Sequence, residues 1–236
     1  MTTKSIWNLD TNLLHFHAPS FNTKGQRIVE VSLDPVTTQY KDRIAIQLCR
    51  DTDRCVAKWN LQKVKEGEDG SRRDLKLNVS DADVVDGLEK FDEFLIDTAF
   101  KNKKEWFPRK DYSREQIADK LKGVYREQDD GTKCVHIKIK CPGATSLTQI
   151  QVEGTENERK SGTIDDLVRG AYVIPIVRIF NVWFMEGGSF GVTLQTEKIL
   201  VQPPPKITFL QHFHISRPLE WCEAFDEVKS EVASID

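Results

Sequence analysis

The chain of 236 residues lacks any apolar run long enough to cross a membrane as a helix, so no membrane partner is expected. Cysteine is scarce and odd in number: Cys49, Cys55, Cys134, Cys141 and Cys222. That usage argues against a disulfide framework and suits an intracellular, reducing compartment. Neither Cys49…Cys55 nor Cys134…Cys141 has the close spacing of a zinc knuckle, so no metal is expected. The first twenty residues have no apolar core of the signal-peptide type, which points away from secretion. A glycine-rich phosphate loop, a nucleophile elbow and a paired-acid motif are all missing, so no cofactor and no enzyme activity are expected. An excess of positive charge is missing too. The net charge is −3 and the pI about 6.0. Whole-molecule attraction to nucleic acid is thereby disfavoured, but a local basic groove is not, because a phosphate responds to the nearby field.

What is present is β-pattern. Hydrophobic residues make up 39% and charged residues 30%, a balance that can build a soluble core. Residues 1–24 read as an irregular or loosely packed arm. Ile28, Val29, Val31 and Leu33 then mark a strand ended by Pro35. Residues 43–48 alternate with Ile44, Ile46 and Leu48 inward. A strand carrying Trp59 and Leu61 is predicted over 57–64, a polar turn over 65–70, and another alternating strand over 74–79 through Leu75, Leu77 and Val79. These four short strands fit an antiparallel meander.

The period then changes. Ser80 can cap a helix whose stripe is Val84, Leu88, Phe91, Leu95 and Ala99. Lys101 to Lys104 suit its C-terminal end, and the run Glu105, Trp106, Phe107, Pro108 breaks it. Ser113 and Gln116 form a capping box ahead of Ile117, Leu121 and Val124. A two-helix insertion over about 80–126 follows from these signals. Residues 134–140 alternate strictly, with Val135, Ile137 and Ile139 on one face and His136, Lys138 and Lys140 on the other. A loop with a short strand at 148–152 and a helical turn at 163–169 come next. The most specific stretch is 172–201, two β-runs joined by Met185, Glu186, Gly187, Gly188 and Ser189, a loop able to supply positive φ. Three prolines at 203–205 form an extended linker. A strand at 206–213 and an acidic helix at 218–233, with Trp221, Phe225, Val228 and Val232 as its stripe, complete the pattern.

Single-strand binders need cations along a groove and exposed aromatic faces under bases. The candidates are Lys58 with Trp59; Arg72 with Arg73; Lys103 and Lys104 with Trp106 and Arg109; Lys138 with Lys140; and Arg178 with Phe180. The opposing reading is that these rings are core and the cations a solvated face, the commoner fate of large aromatics. His15 with His17, and His212 with His214, are spaced to share one side of a strand. They lack a carboxylate or thiol at ligand spacing, so a metal hydrolase is the weakest reading.

The order of elements narrows the choice. GLEKFDEFLIDTA (87–99), KKEWFPRKDYSREQI (103–117), VHIKIK (135–140) and IPIVRIFNVWFMEGGSFGVTLQTEKILV (174–201) follow the meander in turn. This order resembles the phage-type single-stranded DNA-binding proteins, an OB-fold family with relatives in large nucleocytoplasmic DNA viruses. The resemblance covers roughly 25–202. It implies a mainly β chain: a five-stranded, OB-fold-like antiparallel barrel with a helical insertion and no catalysis. It implies sequence-independent coating of single-stranded DNA in viral replication, recombination or repair, inside a host cytoplasm or nucleus. It also implies polymerase or helicase partners recruited through the acidic C-terminal segment, and a homodimer would follow if that segment were swapped. The chain departs from the family at its end, Ser234, Ile235 and Asp236, where an aromatic residue is expected. A rival reading is a virion or scaffold protein that uses the same β-rich fold for protein contacts.

Overall fold

A computed structural model of the chain describes residues 3–39, 42–61, 70–142, 144, 146–154 and 158–204. The expected strand at 206–213, the acidic helix at 218–233, His212, His214 and Cys222 lie outside the described residues. The strands are β1 (Lys4–Ser5), β2 (His15–Phe16), β3 (Ser20–Phe21), β4 (Arg27–Ser32), β5 (Ala45–Gln47), β6 (Cys55–Ala57), β7 (Arg72–Asn78), β8 (Leu121–Lys122), β9 (Tyr125–Glu127), β10 (Lys133–Lys140), β11 (Gln149–Glu153), β12 (Arg159–Ser161), β13 (Tyr172–Phe184) and β14 (Phe190–Gln202). The helices are α1 (Ala82–Lys101), α2 (Lys103–Trp106) and α3 (Arg114–Lys120).

The β13–β14 hairpin carries the fold. Both strands have 13 residues, and their pairing runs from Tyr172↔Gln202 to Phe184↔Phe190. The other edge of β13 pairs with β4, β5 and β6; the other edge of β14 pairs with β8, β10 and β11. Since β6 pairs with β7 and β7 with β10, the strands β13, β6, β7, β10 and β14 close a five-membered ring. The result is a mainly β, OB-fold-like barrel with a helical insertion. The ring is antiparallel except where β10 meets β14, in parallel, at Lys138↔Gln195.

Strand alternation fills the barrel. The pairs Leu77↔Val135 and Leu75↔Ile137 put four fully buried side chains inward, and Ala57 lies opposite Leu77. Burying each such side chain contributes roughly 1.5–3 kcal/mol. The insertion contains both expected helices. Helix α1 buries Val84, Leu88, Phe91, Leu95 and Ala99, the predicted stripe. Its cap is Asp81, whose carboxylate accepts from the N–H groups of Asp83 and Val84; Ser80 instead donates its hydroxyl to Asp53. The Ser113–Gln116 capping box forms as expected, but α3 ends at Lys120, so Leu121 enters a strand and Val124 lies outside the helix. Strand β6 ends at Ala57 and residues 58–61 are not in a strand, which leaves Trp59 outside it; residues 62–64 of the expected strand and 65–69 of the expected turn lie outside the described residues.

Residues 4–24 are not loosely packed. Strand β1 joins β5 in parallel, and β2 and β3 join β4. Ile6 is buried, and a 3-10 turn over Ile6–Asn8 lies on α1. Gly87 permits that contact. A Cβ there would sit 2.8 Å from the Ile6 carbonyl oxygen and 2.9 Å from the Trp7 Cα. Both obstacles are backbone, so relief requires the arm to move. Gly87→Ala is expected to lower stability by about 1–3 kcal/mol in urea unfolding, the usual cost of overpacking. A gain of about 1 kcal/mol, the helix preference of alanine over glycine, would show that the arm offers no resistance at this point.

Asp92 on α1 gives a second check. Burial pushes its carboxyl up to about 7, and Glu93 adds to the shift, against an opposing hydrogen bond from the Val124 N–H at 2.9 Å. The unfolded carboxyl loses its proton near 3.8. Protonation therefore favours the folded state, and this contribution is lost as pH rises from 3.8 to about 7. Asp92→Asn should flatten that part of the stability profile; an unaltered slope between those pH values would remove Asp92 as its source.

Candidate nucleic-acid interface

The β7–β10 pairing lines up the outward side chains as well as the inward ones. His136 faces Lys76, Lys138 faces Asp74 and Lys140 faces Arg72. The Lys58 N–H donates to the Lys76 carbonyl at 2.9 Å, which places Lys58 at one end of the row. At the other end, Lys138 meets Gln195, and Gln195 meets Arg178. One band of mostly basic residues thus runs over the barrel wall from β6 to β13. Arg126 on β9 joins it, opposite Cys134.

The band has an exposed layer and a buried one. Arg72 and Arg126 are exposed and Lys76 is half-buried; none of the three forms an ion pair among the described residues. Lys138 pairs with Asp74 at 2.7 Å. Beneath them Arg43, Lys140 and Arg178 are buried. Arg43 pairs with Glu30 at 3.1 Å and donates to the carbonyls of Val31 and Phe180. Arg178 pairs with Glu197 at 2.8 Å and donates to the Arg43 carbonyl. Lys140 donates to Ser146 at 2.8 Å. Its burial lowers its pKa; Glu197 works against this, while Arg72 and Arg178 add to it. Phe180 sits in this cluster, half-buried, with the Arg43 guanidinium 4.2 Å from its ring centroid and that of Arg72 at 5.5 Å. It occupies a register shift of β13, between Ile179↔Leu194 and Asn181↔Thr193. Such a bulge re-aims a side chain without ending the strand.

The structure thus brings together Lys58, Arg72, Lys138, Lys140, Arg178 and Phe180 from the candidate set. Their roles differ from those expected. Arg178 is only 5% exposed and Lys140 6%, so both support the surface from below and neither can meet a phosphate directly. Lys58 is held by Asp130 at 3.2 Å and Thr132 at 3.1 Å. Arg73 leaves the set, because alternation turns it to the face opposite Arg72, in register with Ile139. Trp59 is 49% exposed, with the Arg169 guanidinium 5.1 Å from its ring.

The EWF element is corrected most. Trp106 is 2% exposed and packs on Phe16 and Phe184, so it cannot stack on a base. Lys103 pairs with Asp111 at 2.5 Å. Lys104 and Arg109 are exposed, Arg109 in a left-handed conformation with φ 69°, but they belong to the helical insertion and not to the band. Sequence reasoning missed Arg43, Lys76, Arg126 and His136 as members. The outward phase of 74–79 contains Lys76 and could have revealed it. Arg43 has no such signal, since only the return of β13 brings Phe180 to it. Among the described residues no group of three or more His, Cys, Asp or Glu side chains is placed to hold a metal; His17 instead hydrogen-bonds the Ser32 hydroxyl at 2.7 Å.

No protein-family model and no curated protein matches the chain in sequence. The solved structures similar in fold include three that are each 12% identical to this chain. The single-stranded DNA-binding protein of bacteriophage Enc34, truncated at its C-terminus, gives a TM-score of 0.40 over 79% of this chain and 94% of its own. The same phage protein in complex with single-stranded DNA gives 0.41, over 79% and 95%. The single-stranded DNA-binding protein gp2.5 of bacteriophage T7 gives 0.42, over 69% and 87%. At that level of identity residue roles do not transfer, so each role here rests on this chain's own geometry.

His136 reports on the band's field. Burial lowers its pKa, and Lys76, Arg126 and Lys138 lower it further against Asp74. Its buried Nε2 finds no hydrogen-bond partner among the described residues. The unfolded imidazole takes up a proton near 6.5 and the folded one only below that. This residue's contribution is therefore intact above pH 6.5 and is lost as pH falls through the window down to the folded value. His136→Gln should remove that loss in urea unfolding at acid pH. Neutralising Lys76 should raise the imidazole pKa in a proton NMR titration; no movement would mean that the band exerts no field there.

Proposed function

We propose that this protein binds single-stranded DNA without sequence preference, along the outer face of β7 and β10 and across Phe180. The observation that carries this reading is a half-exposed aromatic ring, set in a buried basic layer, on one barrel face with Arg72, Lys76 and Arg126, which form no ion pair among the described residues. Cations neutralise phosphates, and a ring stacks on any base, so this combination is sequence-tolerant. The OB-like barrel presents both from rigid strands. The same observation favours nucleic acid over the scaffold reading, which gives no role to a buried cation layer under a surface ring.

The setting we propose is replication, recombination or repair of a viral genome inside a host cell. The order of sequence motifs and the sparing use of cysteine support it. Polymerase or helicase contacts would fall to the acidic residues of 218–236, and a homodimer would form if that segment docks on a second copy. No catalytic step is part of this reading.

The test is anisotropy of a labelled oligothymidine. Neutralising three or four phosphates of a single strand predicts a loss of roughly 20- to 50-fold in affinity between about 50 and about 200 mM salt. Arg72→Ala with Lys76→Ala should weaken binding and reduce the salt slope by about 1.4. Phe180→Ala should cost about 1–3 kcal/mol of binding at either salt, the worth of one stacked base. No binding at the lower salt, or binding that ignores salt and all three substitutions, would overturn the proposal.

A further inference from the structure

A second surface lies at the tip of the β13–β14 hairpin. There a cleft of about 810 Å³ opens between the tip, the β3–β4 turn and the segment after α2. Its floor is Trp106, Phe107 and Phe184, all buried. The floor is rigid, because Phe184 meets Trp106 and Phe107 edge-on at 5.6 and 5.7 Å and stacks on Phe190 at 6.1 Å. Its walls are Phe21 and Met185, which are 72% and 59% exposed. Two apolar side chains this exposed, facing one cleft, mark an interaction surface more than a solvated one.

The rim is basic. Lys24 and Lys110 are exposed and form no ion pair among the described residues. Arg27 donates to the Glu105 carbonyl and lies 5.9 Å from the Phe184 ring centroid. Lys120 does not line the cleft itself but lies behind it, over the Tyr112 ring at 4.6 Å and donating to the Gly187 carbonyl at 3.4 Å. Glu186 is the one acidic residue in the lining.

We propose that this cleft docks a peptide segment of a partner protein in which one large apolar side chain is flanked by acidic residues. A preformed apolar floor rewards an inserted side chain, since little ordering is needed on this side of the contact. Unpaired rim cations complement carboxylates on either side of that anchor and speed the encounter. Met185 is flexible enough to close over anchors of differing shape. A DNA strand suits the cleft less well: of its rings only Phe21 is exposed, and the floor rings are buried and packed edge-on, so they offer no second face for a base. A second copy suits it less well too, because a basic rim with one acid does not complement itself across a two-fold axis. The inference does not depend on the DNA-binding reading.

The experiment uses the full chain and two short labelled peptides, one with a single phenylalanine and one with a single leucine between runs of aspartate, at about 50 mM salt. At least one should bind with micromolar affinity. Its alanine counterpart should bind roughly tenfold or more weakly, as loss of a buried anchor requires. Lys24→Glu with Lys110→Glu, and separately Met185→Asp, should each weaken the peptide by about tenfold. All these positions are exposed, and circular dichroism checks that the variants stay folded. Oligothymidine affinity should stay within about twofold of wild type, or remain absent if the chain does not bind DNA. Failure of both peptides to bind overturns the proposal. So does equal binding by the alanine peptide, or binding indifferent to the substitutions. Loss of oligothymidine binding in the same variants would assign the cleft to the DNA path. A concentration-dependent dimer broken by Met185→Asp would assign it to a second copy.

Discussion

Every part of this structure depends on two strands of one hairpin being long enough to be shared. A strand of average length has room for one neighbour on each edge. Here the outer edge of β13 serves β4, β5 and β6 in turn, and that of β14 serves β8, β10 and β11. Sheet twist would carry such long strands away from their partners unless they bend. The register shifts at Ile176/Val177 and between Ile179 and Asn181 supply the bend. The ring can then close, although β10 and β14 are joined by a single registered pair.

The same bend creates the surface chemistry. Phe180 is the residue left over at the second shift, so its ring is set by the bulge and not by the regular alternation of β13. Two guanidinium groups from distant parts of the chain settle against it, Arg43 from before β5 and Arg72 from the start of β7. Buried cations are costly unless their donors are met. Here Glu30, Glu197 and several backbone carbonyls meet the terminal guanidinium nitrogens of Arg43 and Arg178. The buried layer holds the ring and sustains the local field, while Arg72, Lys76 and Arg126 are available to a ligand. A chain of net charge −3 can thus present a basic face, because in this band the cations outnumber the acids, namely Asp74, Asp130, Glu30 and Glu197.

Much of the fold was legible in the sequence where local pattern decides the outcome. The alternation of β7 and β10, the stripe of α1, the Ser113–Gln116 box and the hairpin are all set by period and turn chemistry within a few residues. The barrel itself came from resemblance in motif order, since short strands do not state their partners. What local pattern could not supply is which of two faces the rest of the chain covers. Trp106 and Trp59 look alike in sequence, each a tryptophan close to a lysine. Trp106 is sealed by Phe16 and Phe184, while Trp59 falls just past the end of β6 and stays open. Arg178 and Phe180 stand two apart in sequence, yet the register shift sets the ring apart from the alternation, and the Arg178 guanidinium is drawn under by Glu197 and the Arg43 carbonyl. Arg72 and Arg73 differ by one residue and point to opposite sides of one strand. The loosely packed arm was misread for a related reason: its anchors, β5 and the Gly87 notch on α1, lie far away in sequence.

The hairpin also fixes how the two candidate surfaces relate. Phe180 lies in the middle of β13, where the bend meets the cation layer. Phe184 and Met185 lie at its tip, where the strand ends on the rings of the helical insertion. Only three residues separate Phe180 from Phe184, so both surfaces are held by one strand. They nevertheless draw on different cations. Arg43, Arg72 and Lys76 come from β-strands or their flanks around the barrel, whereas Lys24 and Lys110 come from a turn and from the insertion. Charge changes at one surface are therefore separable from the other, since distant sites without shared partners act independently. Shape changes at Phe184 are not, because that ring is floor to one surface and end-stop to the strand that carries the other. A partner seated at the tip would touch the same strand that presents Phe180 without touching any group of the cation band.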